Sequence, residues 1–95
     1  MKSLQVTDHY KVVKVELAAG NSMPRHISTS DAFLIVESGS ALLIFEKETF
    51  ELSTGVTQPI PANEEHMLKI IDDFKAYIVL AKEAKIDFTK PGQRN

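Results

Sequence analysis

Two runs, AFLIV at 32–36 and ALLIF at 41–45, are apolar at every position and stand only ESGS apart. A strand with water on one face alternates apolar and polar residues, so a strand apolar throughout needs cover on both faces. The chain has 95 residues, too few to surround these strands with a large monomeric interior. Either the N-terminal segment folds over their outer face or a second subunit covers it. Gly39, between the runs, reads as a hairpin corner.

The rest of the chain follows the same period. From Lys11 to Ala18 the pattern alternates, with Val13, Val15 and Leu17 on one face and Lys14 and Glu16 on the other, which predicts a half-buried strand. Gly20 to Pro24 is turn chemistry. FEKETF suggests a second hairpin and IIDDFK a third, while STGVTQPIPAN is a connection rich in turn residues. Short strands broken by turns at regular spacing predict an all-β sandwich or barrel, one domain over residues 1–95. One segment competes as a helix: Met67, Ile71, Phe74, Ile78 and Ala81 fall at helical spacing. The Asp72-Asp73 pair suits a turn and AYIVL suits a strand, so the strand reading is preferred. Residues 87–95, polar and carrying Pro91-Gly92, are expected to form a flexible tail.

Charge and composition narrow the partners. Eleven Lys and Arg stand against 13 Asp and Glu, and the basic residues form no stripe that could track phosphates, so nucleic acid is not expected. The absence of cysteine removes disulfides, thiolate metal sites and a cysteine nucleophile. No apolar run approaches the ~18 residues of a membrane span, and Met1 to Tyr10 lacks the apolar core of a signal peptide. A cytoplasmic protein without a membrane partner is the expectation.

Two segments carry the histidines of interest. The first places Gly20, His26, Ser28, Ala32 and Gly39 in the spacing G-x5-H-x-S-x3-A-x6-G; the second places Gly55, Pro61, Asn63, His66 and Ile70 as G-x5-P-x-N-x2-H-x3-I. Together they resemble the two motifs of the cupin superfamily, in order and in register, over roughly residues 12 to 81. The resemblance implies a small double-stranded β-helix, a jelly-roll barrel. It also implies a homodimer through an outer sheet face, here the face of Phe33 and Ile35. In metal-bearing cupins two histidines and a glutamate of the first motif join the histidine of the second around an ion. Here His26 and His66 match ligand positions, Ser28 stands where the second histidine would be, and Ala32 where the glutamate would be. Asn63 replaces a glycine, and asparagine tolerates the left-handed backbone for which glycine is chosen. Residues that shape backbone are kept, while half the ligand set is absent.

Three readings follow. The preferred one is a metal-free pocket in which His26, Ser28 and His66 hold a small polar or anionic ligand, with no cofactor. The alternative is a metal-dependent enzyme of the cupin dioxygenase or isomerase type, with one divalent transition metal on His26 and His66. The third is a structural or assembly protein whose barrel is merely filled. Asp31 should point away from Ala32 by strand alternation, Glu64 and Glu65 read as a solvated rim, and His9 as a surface residue. Ser28 lacks the setting of a nucleophile.

Overall fold

The computed structural model describes residues 1–88, and every one of its regular elements is a strand. They are β1 (Lys2–Val6), β2 (Tyr10–Leu17), β3 (Ser22–Ser28), β4 (Ala32–Phe45), β5 (Thr49–Ser53), β6 (Thr57–Ile60), β7 (His66–Ala81) and β8 (Ile86–Phe88). All pairings are antiparallel. No helix is long and apolar enough to cross a membrane.

The long strands β4 and β7 pair from Ala32↔Leu80 to Phe45↔His66. Each belongs to two sheets. The first half of β4 and the second half of β7 carry β6 on one side and β2, then β1, on the other. The remaining halves carry β5 on one side and β3, then β8, on the other. The two sheets face each other as an all-β jelly roll, and the apolar core fills the space between: Val15, Leu34, Leu43, Ile70 and Phe74 are among its residues.

Residues 37–40, expected to turn a hairpin, instead bend one continuous strand. In β4 the buried positions are 32, 34 and 36 before the bend and 41, 43 and 45 after it, so the inward parity changes across a run of register shifts between Val36 and Ala41. Each run alternates in burial, out of phase with the other, and its outward residues Phe33 and Ile35, Leu42 and Ile44 are apolar as well. Gly39 has φ 88°, and a Cβ there would lie 1.9 Å from the Asp73 carbonyl oxygen. The expected IIDDFK hairpin is likewise a bend within β7. Its two acidic residues pin it, Asp73 Oδ1 accepting from the Ala19 amide at 2.8 Å and Asp72 Oδ2 from the Ser40 hydroxyl at 2.6 Å.

The helical alternative for 64–81 fails because β2, β3 and β4 supply ladder partners along β7, and its inward residues keep a period of two. The FEKETF hairpin forms between β4 and β5, closed by the Phe45 amide on the Glu48 carbonyl at 2.8 Å. Of the tail expected over 87–95, Asp87 and Phe88 are instead strand residues paired with Ile27 and His26; residues 89–95 lie outside the described part. The N-terminal segment does not fold over the outer face of β4: it becomes β1, on the free edge of β2.

At Gly39 an added methyl group meets backbone as well as an unfavourable φ, whereas at Gly20, φ 88°, nothing lies within 4 Å. Gly20→Ala is expected to cost about 1–2 kcal/mol and Gly39→Ala on the order of 3 kcal/mol or more. Urea unfolding of both variants measures the difference, and equal midpoints would show that the bend does not depend on the close approach.

Candidate functional site

One row of side chains crosses four strands at the end of the second sheet. His26 is the register partner of both His66 and Phe88, and His66 is the partner of Phe45. The four rings touch in that order. The His26 and His66 centroids are 4.3 Å apart, edge to face; Phe88 lies 5.1 Å from His26 and Phe45 lies 5.4 Å from His66. His26 reaches this row because β3 is irregular between Met23 and His26, which puts two inward residues three positions apart. His66 is simply the first inward residue of β7.

Both rings are anchored the same way. Nδ1 of His26 donates to the Pro24 carbonyl at 2.7 Å, and Nδ1 of His66 to the Glu64 carbonyl at 2.8 Å. A carbonyl oxygen can only accept, so the proton of each neutral imidazole sits on Nδ1 and Nε2 carries a lone pair. Among the described residues no hydrogen bond reaches either Nε2. His26 and His66 are 5% and 4% exposed. Burial pushes both imidazoles below their ordinary pKa; for His26 the neighbouring His66 adds to the effect, and in each the carbonyl partner acts in the opposite direction. The rings are therefore acceptors at neutral pH.

His26, Ser28, Ala32 and His66, the positions singled out in the sequence, line one internal cavity, with Leu34, Leu68 and other aliphatic side chains completing it. Its free volume is about 20 Å³, little more than the roughly 10–15 Å³ that one water requires. The Ser28 hydroxyl faces local backbone: Oγ donates to the Ser30 carbonyl at 2.8 Å and accepts from the Ser30 amide at 3.4 Å. Ala32 contributes no donor atom. As a metal centre the set is short, because catalytic zinc uses three protein ligands and non-haem iron two histidines with a carboxylate. The described residues hold no group of three or more His, Cys, Asp or Glu able to hold an ion.

Other expected placements are met. Asp31 points outward, its Oδ1 accepting from the Ala62 amide at 2.8 Å, which fixes the loop before His66. Asn63 adopts φ 61° and its amide donates to the Ser28 carbonyl at 2.8 Å, tying the two histidine segments together. His9 is exposed. The flanking phenyl rings were not foreseen in the sequence; Ile86 and Phe88 alternate about Asp87, but three residues make too short a pattern to separate from the polar stretch that follows. Nor was the mouth. Phe45, Glu46, Lys47, Glu48, Glu64 and Glu65 border an open groove of about 770 Å³, and His66 also borders a 90 Å³ recess shared with Phe45, Glu46 and Glu65.

No family model matches the sequence, and no curated protein matches it. Solved structures do. A conserved protein of unknown function from Streptococcus pyogenes is 28% identical with TM-score 0.75, over 84% of this chain and 70% of that one. An RmlC-like cupin family protein with a double-stranded β-helix fold from Methanocaldococcus jannaschii is 25% identical with TM-score 0.76, over 84% of this chain and 76% of that one. A DMSP lyase from Ruegeria pomeroyi has TM-score 0.82 at 21% identity, over 93% of this chain but only 47% of the enzyme. The chain has the fold of the RmlC-like cupins, with a degenerate metal-binding motif in its barrel.

The depressed imidazoles give stability a pH dependence of defined sign. Below the ordinary imidazole value the unfolded chain binds protons that the folded chain refuses, so stability is full above that value and falls as pH drops from it through the lowered folded values. Urea midpoints taken across this window should fall with pH in the native protein and fall less in a His26→Gln, His66→Gln double variant, which keeps His9. Parallel profiles would show that the buried pair does not carry the dependence.

Proposed function

We propose that this protein is a small-ligand-binding barrel in which the His26–His66 pair is the recognition element. The observation that carries the reading is the pair of Nε2 lone pairs, to which no described residue donates and which are not sealed from solvent, on a cavity with room for one non-hydrogen atom or a water. Whole drug-sized ligands occupy several hundred Å³. On this reading the head group of the ligand enters the barrel, where Ser28 forms part of the wall, and its body extends towards the recess on His66 and the 770 Å³ groove beside it. Acceptors on the floor favour a hydrogen-bond donor over the anion that two histidines first suggest.

The metal-enzyme reading has one observation in its favour: carbonyl-anchored Nδ1 atoms are how ligating histidines are commonly held. Its ligand count is against it. Elemental mass spectrometry of untagged protein, set beside the His26→Ala, His66→Ala double variant, separates the two. Binding without metal predicts background metal in both proteins. It also predicts saturable shifts of the two Nε2 resonances when ethylene glycol is titrated in the presence of chelator. Near-stoichiometric metal that disappears in the variant, or shifts seen only after metal is restored, would return the site to the enzyme reading.

A second copy of the chain is the proposed partner on the outer face of the first sheet. Rows in register place Val12, Val79, Phe33 and Pro59 side by side, with Lys14, Tyr77 and Ile35 in the next row. Phe33 and Ile35 are 52% and 38% exposed, and β1 leaves them uncovered. Lys14–Glu37 at 3.7 Å and Lys75–Glu16 at 3.9 Å give the border both signs of charge, which suits a self-complementary contact. Light scattering at micromolar concentration should give a dimer, and Phe33→Lys, Ile35→Lys a folded monomer. A native monomer under those conditions would overturn the proposal.

A further inference from the structure

We infer that the head group recognised by the His26–His66 pair is a primary ammonium, so that the ligand is a small organic amine. The inference rests on the reading of the pair as a ligand site and adds the chemical class.

The floor selects for donors. Both imidazoles present Nε2 as an acceptor, and the one hydroxyl on the wall, that of Ser28, gives its proton to the Ser30 carbonyl. A carboxylate or phosphate entering this space meets lone pairs only, whereas –NH3⁺ or –OH satisfies them. The free volume of about 20 Å³ admits a head of that size and little else.

The mouth selects for charge. The turn between β4 and β5 brings Glu46 and Glu48, and the loop before β7 brings Glu64 and Glu65, to one groove with Lys47 as the basic residue on its wall. Glu46 and Glu65 also border the recess on His66, where Arg25 adds a second positive charge. The groove and the recess share Phe45, Glu46 and Glu65, and the recess and the cavity share His66, so His66 stands between the acidic walls and the floor, and such carboxylates attract an entering cation. Phe45 and Phe88 flank the pair on either side, and phenyl faces attract cations. The acceptor floor rejects anions, the acidic mouth distinguishes an ammonium from an alcohol, and the rings favour the same choice.

Three probes with one body and different heads test this: propylamine, 1-propanol and propionate at pH 7.5, followed by the resonances of His26 and His66. Propylammonium should bind at least about fivefold more tightly than propanol at low salt, with propionate causing no saturable shift. The ratio of ammonium to alcohol affinity should fall towards one in high salt, and also in Glu46→Gln, Glu48→Gln, which changes two exposed turn residues away from the histidine anchors. Equal or tighter binding of propanol, a response to propionate, or a ratio indifferent to salt and to the variant would overturn the inference while leaving the ligand site in place. If none of the three probes reaches the two histidines, the site itself is lost and the inference with it.

Discussion

The pairing of β4 with β7 along their whole length, and the single bend they share, is the constraint on which the rest depends. These two strands belong to both sheets; β2, β3, β5 and β6 are added at the edges they provide, and β1 and β8 beyond β2 and β3. A straight pair would make one flat sheet with apolar residues exposed on one side. The bend folds it on itself, and the close approach of Gly39 to the Asp73 carbonyl makes it possible. The two strands take the bend differently: β4 changes inward parity across its register shifts, as a bulged strand does, while β7 keeps one parity from His66 to Leu80. Serine and aspartate take the polar groups that the interrupted ladder releases, Ser40 and Asp72 to each other and Asp73 to the Ala19 amide.

From the bend, the position of the site follows by register. The inward residues of β7 after the loop start at His66, opposite His26 on one side and Phe45 on the other. Asp31 and Asn63 hold that loop against the end of β3, so the two histidine segments are tied to each other by the Asp31 carboxylate on the Ala62 amide and by the Asn63 amide on the Ser28 carbonyl. Each imidazole is then oriented by a carbonyl two residues before it. Local chain geometry supplies the preorganisation, which is why the pair keeps its arrangement although Ser28 and Ala32 provide no coordination.

The strand period, the all-β class and the two histidine segments were legible in the sequence, because alternation and turn residues are local signals. Gly39 illustrates the limit. A positive-φ glycine between apolar runs has the same local signature whether the chain reverses or bends, and only the ladder partners across β7 distinguish the two. The same ambiguity turned Asp72 and Asp73 into an expected hairpin. Ser28 was correctly placed on the cavity wall, but the direction of its hydroxyl depends on the turn to Ser30. Cavity volume was not legible at all, since one list of aliphatic residues can fill a barrel or line it. The glutamates of the β4–β5 turn gained meaning only when folding brought them beside a loop some twenty residues away.

A filled barrel explains the small cavity but not the histidines. Each imidazole gives up most of its hydration in the fold, since His26 and His66 are 5% and 4% exposed, and an aliphatic or phenyl side chain of similar shape, as at neighbouring Leu68 and Phe45, would avoid that cost. Each Nδ1 answers one carbonyl, that of Pro24 within β3 and that of Glu64 in the loop before β7. What the two Nε2 atoms add is a pair of acceptors on a space that fits one donor, with a recess and a groove of mostly negative charge on the far side of His66. A donor seated there restores the hydrogen bonding that the rings lost on folding, and that asymmetry between the empty and the filled site is what a binding protein requires.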